Sequence, residues 1–416
     1  MNKKALSLVL ASAVAASVFS GLTLVSADEE PVTISIYQDK YEFDEALKAA
    51  TEAYTALHPN VTFTVESSSS GDFYTQLKTM FASGQGPDIF STKGSDDMAI
   101  MAEYMEDLSG EAWVEFLSDV AKEAGTIDGK VLGLPISLES YGYVYNKDLF
   151  AQAGIEAVPM TITELADACA KLEEAGIQPM SSNYADWYQS GMFKFSAVIS
   201  RQEDPMAFIQ ALNDGSESLV GNEEVANLAA WIDIDAGNTA SPLNTDFNTE
   251  VSEFGTGKCA IMLGGSWSQS SLDDIDPNLN LGLFGLPFSD DAAETKIYTS
   301  CSPFWSVNNA SPAKDAAKDF LNWLAMDEEG QKYLGSEFKL IPGFTHIAVD
   351  EEAIGALGVA TQECLASGET YGIYSSFFPD GVAESAGNSI NKYAAGVIDA
   401  EALAQELQAD WENASF

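Results

Sequence analysis

Between residues 32 and 90 the apolar period switches repeatedly, and that alternation restricts the fold more than any other feature of the chain. Val32, Ile34 and Ile36 alternate with polar residues, as in a strand. Phe43, Leu47, Ala50, Tyr54 and Leu57 recur at helical spacing until His58-Pro59-Asn60 stops them. Val61, Phe63 and Val65 alternate again, Phe73, Leu77, Met80 and Phe81 return to the helical period, and Pro87 to Phe90 reads as a short strand. Strands and helices alternating with links of a few residues predict an α/β fold with a parallel sheet and right-handed crossovers. Ligands of such sheets bind outside the carboxyl ends of the strands. That directs attention to Gln38 and Asp39, to Ser91 through Asp97, and to Glu139.

The stretch from Gly129 to Phe150 carries the next constraint. A turn at Asp128-Gly129 launches an apolar run that stops at Pro135, and a run rich in Tyr and Val resumes at Tyr141. Proline cannot donate to a sheet ladder, so two strands joined by a short extended link are expected, with Glu139 in or beside it. A carboxylate there is either a salt-bridge partner or a ligand hook, and in so acidic a chain the salt bridge is the default.

From Thr163 the pattern is mostly helical, interrupted by the aromatic, polar loop Asn183-Tyr184-Ala185-Asp186-Trp187-Tyr188. Cys259 to Leu263, Leu281 to Leu286 and Ile297 to Val307 read as strands, and a helix follows Pro312. At 416 residues the chain is long enough for two domains with separate cores. No repeat or Pro-rich linker separates them, which predicts lobes joined by several crossing strands.

Acidic residues outnumber basic ones 64 to 19, and Arg201 is the sole arginine. That balance excludes nucleic-acid binding, which needs clustered cations, and disfavours multiply anionic ligands. Met1-Asn2-Lys3-Lys4, the apolar run Ala5 to Val25 and Val25-Ser26-Ala27 fit a secretory signal peptide over residues 1–27 in preference to a membrane anchor. The protein is therefore expected to be exported, extracellular, cell-surface-associated or periplasmic, with no cysteine at the processing site for a lipid. Cys169, Cys259, Cys301 and Cys364 match no metal motif, and buried unpaired thiols are expected.

Most catalytic chemistry lacks its residues. His58 and His346 neighbour no nucleophile motif, and no Gly-x-Ser-x-Gly elbow exists. The run Gly255-Thr256-Gly257-Lys258-Cys259 lacks the first glycine and the final hydroxyl of a phosphate loop. Neither Asp233-Ile234-Asp235 nor Asp273-Asp274-Ile275-Asp276 has calcium-loop spacing, so no metal or cofactor is expected. Carboxylate pairs for glycoside hydrolysis are too numerous here to be informative. Aromatics are the positive signal: Tyr141, Trp187, Trp267, Phe304, Trp305, Phe377 and Phe378 all fall in loops or at element ends. Core packing is the ordinary fate of each, but Gly264-Gly265-Ser266 gives Trp267 no periodic context that would direct it inward. A flat indole against the apolar face of a pyranose, with polar groups at its rim, is the expected solution for capturing sugar.

The run Gly129-Lys130 to Tyr145-Asn146-Lys147-Asp148-Leu149-Phe150 resembles the interlobe crossover of the family 1 extracellular solute-binding proteins. These are the sugar-capturing subunits of ABC importers. Gly86-Pro87-Asp88-Ile89-Phe90, Phe254 to Met262, Gly265-Ser266-Trp267, Asn308 to Ser311 with Ala316 to Leu324, and Ile341-Pro342 follow in the family's order. The resemblance implies a two-lobed periplasmic-binding-protein-like fold of type II topology with three interlobe crossovers, near Pro135 to Tyr141, Leu263 to Trp267 and Phe304 to Asn308. It divides the chain into residues 28–138 plus 266–306 for the N-terminal lobe and 139–265 plus 307–416 for the C-terminal lobe. It implies that Glu139 accepts hydrogen bonds from sugar, that Trp267 after Gly265 stacks on the ring, and that Trp187 and Asn183 line the cleft. Tyr141, Trp305 and Phe378 join these as aromatic candidates, and Gln38, Asp39, Lys93, Ser95 and Asp96 lie in first-lobe loops where relatives bind. The expected partners are an oligosaccharide and the membrane permease of an ABC importer, with the receptor a monomer and not an enzyme. A secreted carbohydrate-active enzyme and a polyamine receptor on the same scaffold are the alternatives.

Overall fold

The structure is a computed structural model that describes residues 30–40, 43–68 and 73–414, with the side chains of residues 95–97 outside that description. The expected signal peptide at 1–27 lies outside the described residues. Helical stretches form where apolar residues recur every third or fourth position. Helix Asp44–Leu57, for example, buries Leu47, Ala50, Thr51 and Tyr54, carries Asp44 and Glu45 in its first turn, and stops before Pro59.

Among the described residues the strands form two main sheets. In the first, β1 (Val32–Gln38) lies between β2 (Val61–Ser67) and β3 (Ile89–Thr92), all parallel. The sheet continues through β12 (Phe304–Val307) to β6 (Leu134–Pro135), with β12 antiparallel to both neighbours. The expected turn at Asp128-Gly129 joins β4 (Thr126–Ile127) to β5 (Lys130–Val131), with positive φ at both turn residues. The second sheet is built around β7 (Leu138–Asn146). One edge of β7 pairs with β9 (Cys259–Gly265), which is in turn parallel to β8 (Gln178–Ser181). The other edge pairs with β11 (Ile297–Cys301) over residues 138–141 and with β10 (Leu281–Phe284) over residues 143–146. A short strand β13 (Thr370–Gly372) extends beyond β11.

Each sheet has its own core. The first holds Ile34, Ile36, Ile89, Phe90, Leu134, Trp305, Phe320 and Leu324; the second holds Tyr143, Leu172, Phe195, Trp231, Ile261, Phe284, Ile390 and Trp411. This is the expected two-lobed α/β architecture, and the chain passes between lobes at three places. The first is between β6 and β7, where Pro135 ends one strand and Leu138 starts the next. The second is Ser302-Pro303, between β11 and β12. The third lies in helix Glu351–Ser367, where Ile354 packs in the first core and Leu357 against Val144 and Met262 of the second lobe.

Two sequence expectations need correction here. Leu263 to Trp267 is not a crossing: after β9 the chain turns through helix Gln269–Asp273 into β10, which also pairs with β7. Residues 266–300 therefore belong with the second lobe and residues 307–354 with the first, the reverse of the boundaries drawn from sequence, while 304–306 lie in the first lobe as drawn. The Gly-Gly pair that looked like an exit from the lobe is instead a close approach within one sheet.

The third crossing has a backbone requirement. Gly355 has φ 67° and ψ −176° inside an otherwise helical segment, and a Cβ there would lie 2.5 Å from Gln269 Cδ. Gly355→Ala is expected to cost about 1–3 kcal/mol, the usual penalty of holding a residue with a side chain in a glycine-only region. Urea unfolding of the variant beside the unaltered protein measures it; equal midpoints would show that this kink is not needed.

Candidate ligand-binding site

The carboxyl end of β1 faces the start of β7. Lys40, two residues beyond β1, places its Nζ 2.6 Å from Glu139 Oε1, so a first-lobe cation meets a carboxylate at the threshold of the second lobe. Both side chains are mostly shielded from water, which limits screening by salt. Glu139 lies within β7, opposite Ser300 of β11, not in a link between strands. Close by, Asp39 is half-buried and its Oδ1 has no hydrogen-bond partner among the described residues. The Ser91 and Thr92 hydroxyls at the carboxyl end of β3 are in the same condition. Lys93 follows them, its ammonium 5.8 Å from the centre of the Tyr74 ring.

On the second-lobe side, sheet geometry builds an aromatic platform. Tyr141 of β7 pairs with Gly265 of β9. A Cβ at Gly265 would fall 1.8 Å from the Ser140 carbonyl oxygen and 2.3 Å from the Trp267 ring, so only glycine lets the indole fold back over the strand end. Ser266 Oγ accepts from the Ser140 backbone N–H at 3.2 Å and ties this corner down. The half-buried Trp267 ring lies parallel to Tyr141, within 4° at 6.3 Å, and to Phe193, within 16° at 5.5 Å. Phe193 itself stacks on Tyr141 at 4.5 Å, and Tyr188 meets its edge. Burial pushes the Tyr141 phenol well above its usual range, with Asp235 and Glu250 adding to the shift, so the ring serves as neutral aromatic support.

The structure sorts the sequence candidates. Glu139 meets Lys40 at the lobe boundary, and Asp39 and Lys93 follow the carboxyl ends of β1 and β3. Trp267 follows the end of β9, and Trp187 is 44% exposed at the start of the helical segment that carries Phe193. Gly265 and Tyr141 act beneath the platform. Gln38 is fully buried, and its Nε2 donates to Lys40 O, Asp44 Oδ1 and Ser67 Oγ. Asn183 is buried too, with its side-chain amide donating to Asp186 Oδ2. Trp305 is fully buried against Phe43 and Phe338 because β12 has strands on both sides. Phe378 packs between Phe195 and Trp411. The side chains of Ser95 and Asp96 lie outside the described residues. Sequence reasoning missed Lys40, Phe193 and Tyr188. The Asp39-Lys40 pair after a strand was a usable signal, whereas Phe193 sat inside a helical pattern and read as core.

A groove of about 600 Å³ between helix Asp44–Leu57 and β2 lies on the outer edge of the first sheet and is lined by none of these candidates. No cluster of potential metal ligands occurs among the described residues, and none of their helices is long and apolar enough to cross a membrane. The four cysteines are unpaired, and burial raises the thiols of Cys169, Cys259 and Cys301.

The profile of the bacterial extracellular solute-binding proteins matches residues 39–331, most of the described chain. The chain belongs to this family. The solute-binding protein is 22% identical over 268 residues to the multiple sugar-binding protein of Streptococcus mutans serotype c, a match spanning 62% of this chain and 63% of that relative. It is 23% identical to the maltotriose-binding protein of Pyrococcus abyssi over 80% of this chain and 69% of the relative. Among solved structures, the solute-binding protein RafE in complex with raffinose superposes with a TM-score of 0.78 at 19% identity, covering 91% of this chain and 98% of that one. The last likeness confirms the two-lobed fold of this solute-binding protein.

Proposed function

We propose that this solute-binding protein is an extracytoplasmic receptor that captures a neutral oligosaccharide between its lobes and hands it to the membrane permease of an ABC importer. The carrying observation is the parallel Trp267, Phe193 and Tyr141 stack in the second lobe, on the lobe that Lys40 and Glu139 bridge to the first. An exposed indole face excludes water from the C–H face of a pyranose, while Asp39, Glu139, Lys40 and Lys93 offer acceptors and donors for hydroxyls. A missing hydroxyl would leave such groups unpaired, which is how the site discriminates. Sugar touching both lobes favours the closed arrangement over an open one. The relatives, a multiple sugar-binding protein, a maltotriose-binding protein and RafE in complex with raffinose, support the same ligand class.

An enzyme would need two isolated carboxylates poised on one bond. Glu139 is instead committed to Lys40, and the reading is of a binding protein, exported as its family's description states. Thermal melting with raffinose, maltotriose, lactose and spermidine, followed by chromatography of the sugars, tests it. At least one sugar is expected to raise Tm, since a compound binding only the native state stabilises it, by about 2.7 kcal/mol at a hundred times Kd. That sugar should be recovered intact. Hydrolysed sugar, or stabilisation by spermidine alone, would contradict the reading.

A further inference from the structure

Beneath the aromatic platform the second lobe buries a lysine and two acidic side chains that the binding surface itself does not use. Strand β8 pairs with β9 only as far as Ser181 opposite Met262, so the next residue, Leu263, has no strand on that side. Side chains take its place. Glu250 Oε1 accepts the Leu263 N–H at 3.0 Å, and Gln189 Nε2 donates to the Leu263 carbonyl at 3.4 Å. Lys194 Nζ donates to the Asn183 carbonyl at 2.9 Å. The loop is thus held at the Asn183 carbonyl, and the strand end at both backbone groups of Leu263. Lys194 is fully buried, lies 3.9 Å from the centre of the Tyr184 ring, and is close to Asp235, whose carboxylate accepts from Tyr143, Ser182 and Tyr184.

These attachments converge on the binding surface. Leu263 is two residues before Gly265 and four before Trp267. Asn183 leads through Asp186 to Trp187, and Lys194 follows Phe193 on a π-helical turn, Gln189–Lys194. That turn is itself pinned, since a Cβ at Gly191 would lie 1.7 Å from the Ala383 carbonyl oxygen. A π turn is a common mark of functional sites in helices, because it re-aims the side chains that follow it.

We propose that Lys194 and Glu250 are positioning residues of the sugar site, together fixing the end of β9 and the Asn183–Trp187 loop so that Trp267, Phe193 and Trp187 are presented at set spacing. This rests on the reading of the platform as the sugar-binding surface. The lysine's charge matters because a buried carboxylate left without a counter-ion is costly. The surrounding titratable groups are Tyr184 from the loop, Tyr141 and Tyr143 from β7, Asp235, Glu250, Cys169 from helix Ile162–Glu174 and Cys259 from β9. Burial pushes the phenols and thiols upward and Lys194 downward, to about 8. Glu250 is raised by the same burial. Lys194, at about 8, changes charge just above neutrality.

Lys194→Met in the full chain, examined by amide hydrogen exchange and by calorimetry with raffinose and maltotriose, tests the proposal. Exchange of amides 183–187 and 263–267 is expected to rise at least about tenfold, with Ile34 to Tyr37 of the first lobe unchanged, and affinity for the sugar that binds to fall about tenfold. Unchanged exchange in both segments overturns the proposal. If neither sugar binds the unaltered protein, the reading of the platform fails, while the exchange result still decides the positioning role.

A second arm needs no variant. Affinity of the unaltered protein should fall between about pH 7 and about pH 9.5, as Lys194 passes from its charged to its neutral form. A lysine whose folded value lies below its ordinary 10.5 adds stability across that same window, because the unfolded chain binds the extra proton. Affinity falling across this window is the signature expected of positioning; affinity independent of pH overturns it. Glu250→Leu should weaken binding, and Glu250→Gln, which keeps an acceptor for the Leu263 N–H, should restore most of it.

Discussion

Trp267→Ala is expected to weaken oligosaccharide binding about 30- to 150-fold, corresponding to about 2–3 kcal/mol for a buried aromatic anchor at the centre of a contact. The size follows from what the indole does in this structure. It is half-buried, its ring runs parallel to Phe193 and Tyr141, and Gly265 lets it fold back over the strand end. Without it the apolar face of a sugar would rest against water on one side. Because Trp267 lies at the rim of the second core, the fold should persist, with far-UV circular dichroism unchanged. Calorimetric titration measures the loss, and an affinity within threefold of the unaltered protein would remove Trp267 from the site.

Lys40→Met should produce the next largest effect, a loss of about 2–3 kcal/mol in binding. The substitution keeps the apolar stem and removes the charge, leaving Glu139 mostly buried at the lobe boundary without the ion-pair partner it has at 2.6 Å. Two consequences follow together. A contact joining the lobes is lost, so the closed arrangement becomes harder to reach. The carboxylate also loses the cation that offsets its desolvation. A surface pair would contribute far less, about 0–1 kcal/mol, so the measured loss separates the two situations. The double variant Lys40→Met with Glu139→Gln is expected to recover part of the affinity lost by the first change alone, since the carboxylate's charge is removed together with its Lys40 partner. Equal affinity of Lys40→Met and the unaltered protein would place the pair outside the binding machinery.

The sequence carried the fold better than it carried the lobe boundaries. Val32 to Phe90 showed its parallel sheet plainly because one face of each helix and strand must be apolar, and Pro135 marked a true crossing because it cannot continue a ladder. The polar turn at Asn146 became a helix N-cap, its side chain accepting from Asp148 and Leu149. What failed was long-range pairing. That β9 and β10 both lie along β7 depends on partners more than a hundred residues away, so Gly264-Gly265 read equally well as an exit.

The site divided on the same line. Trp267 and Glu139 stood out because local context gave them no core role. Trp305 and Phe378 had the same local look, but neighbours remote in sequence cover them. Phe193 was hidden because a π turn shifts its direction without changing the helical spacing of the residues around it. Lys194 and Glu250 could not be found from pattern at all, since their partners are backbone groups of Asn183 and Leu263 exposed by the early end of β8.

The most direct measurement is saturation-transfer-difference NMR with irradiation of the protein's aromatic protons in the presence of raffinose or maltotriose. Transfer to pyranose C–H protons, strong in the unaltered protein and largely lost in Trp267→Ala, is the predicted result. Transfer of equal strength in both proteins, or none from either with any sugar that raises Tm, would contradict the claim that a sugar is held against this platform.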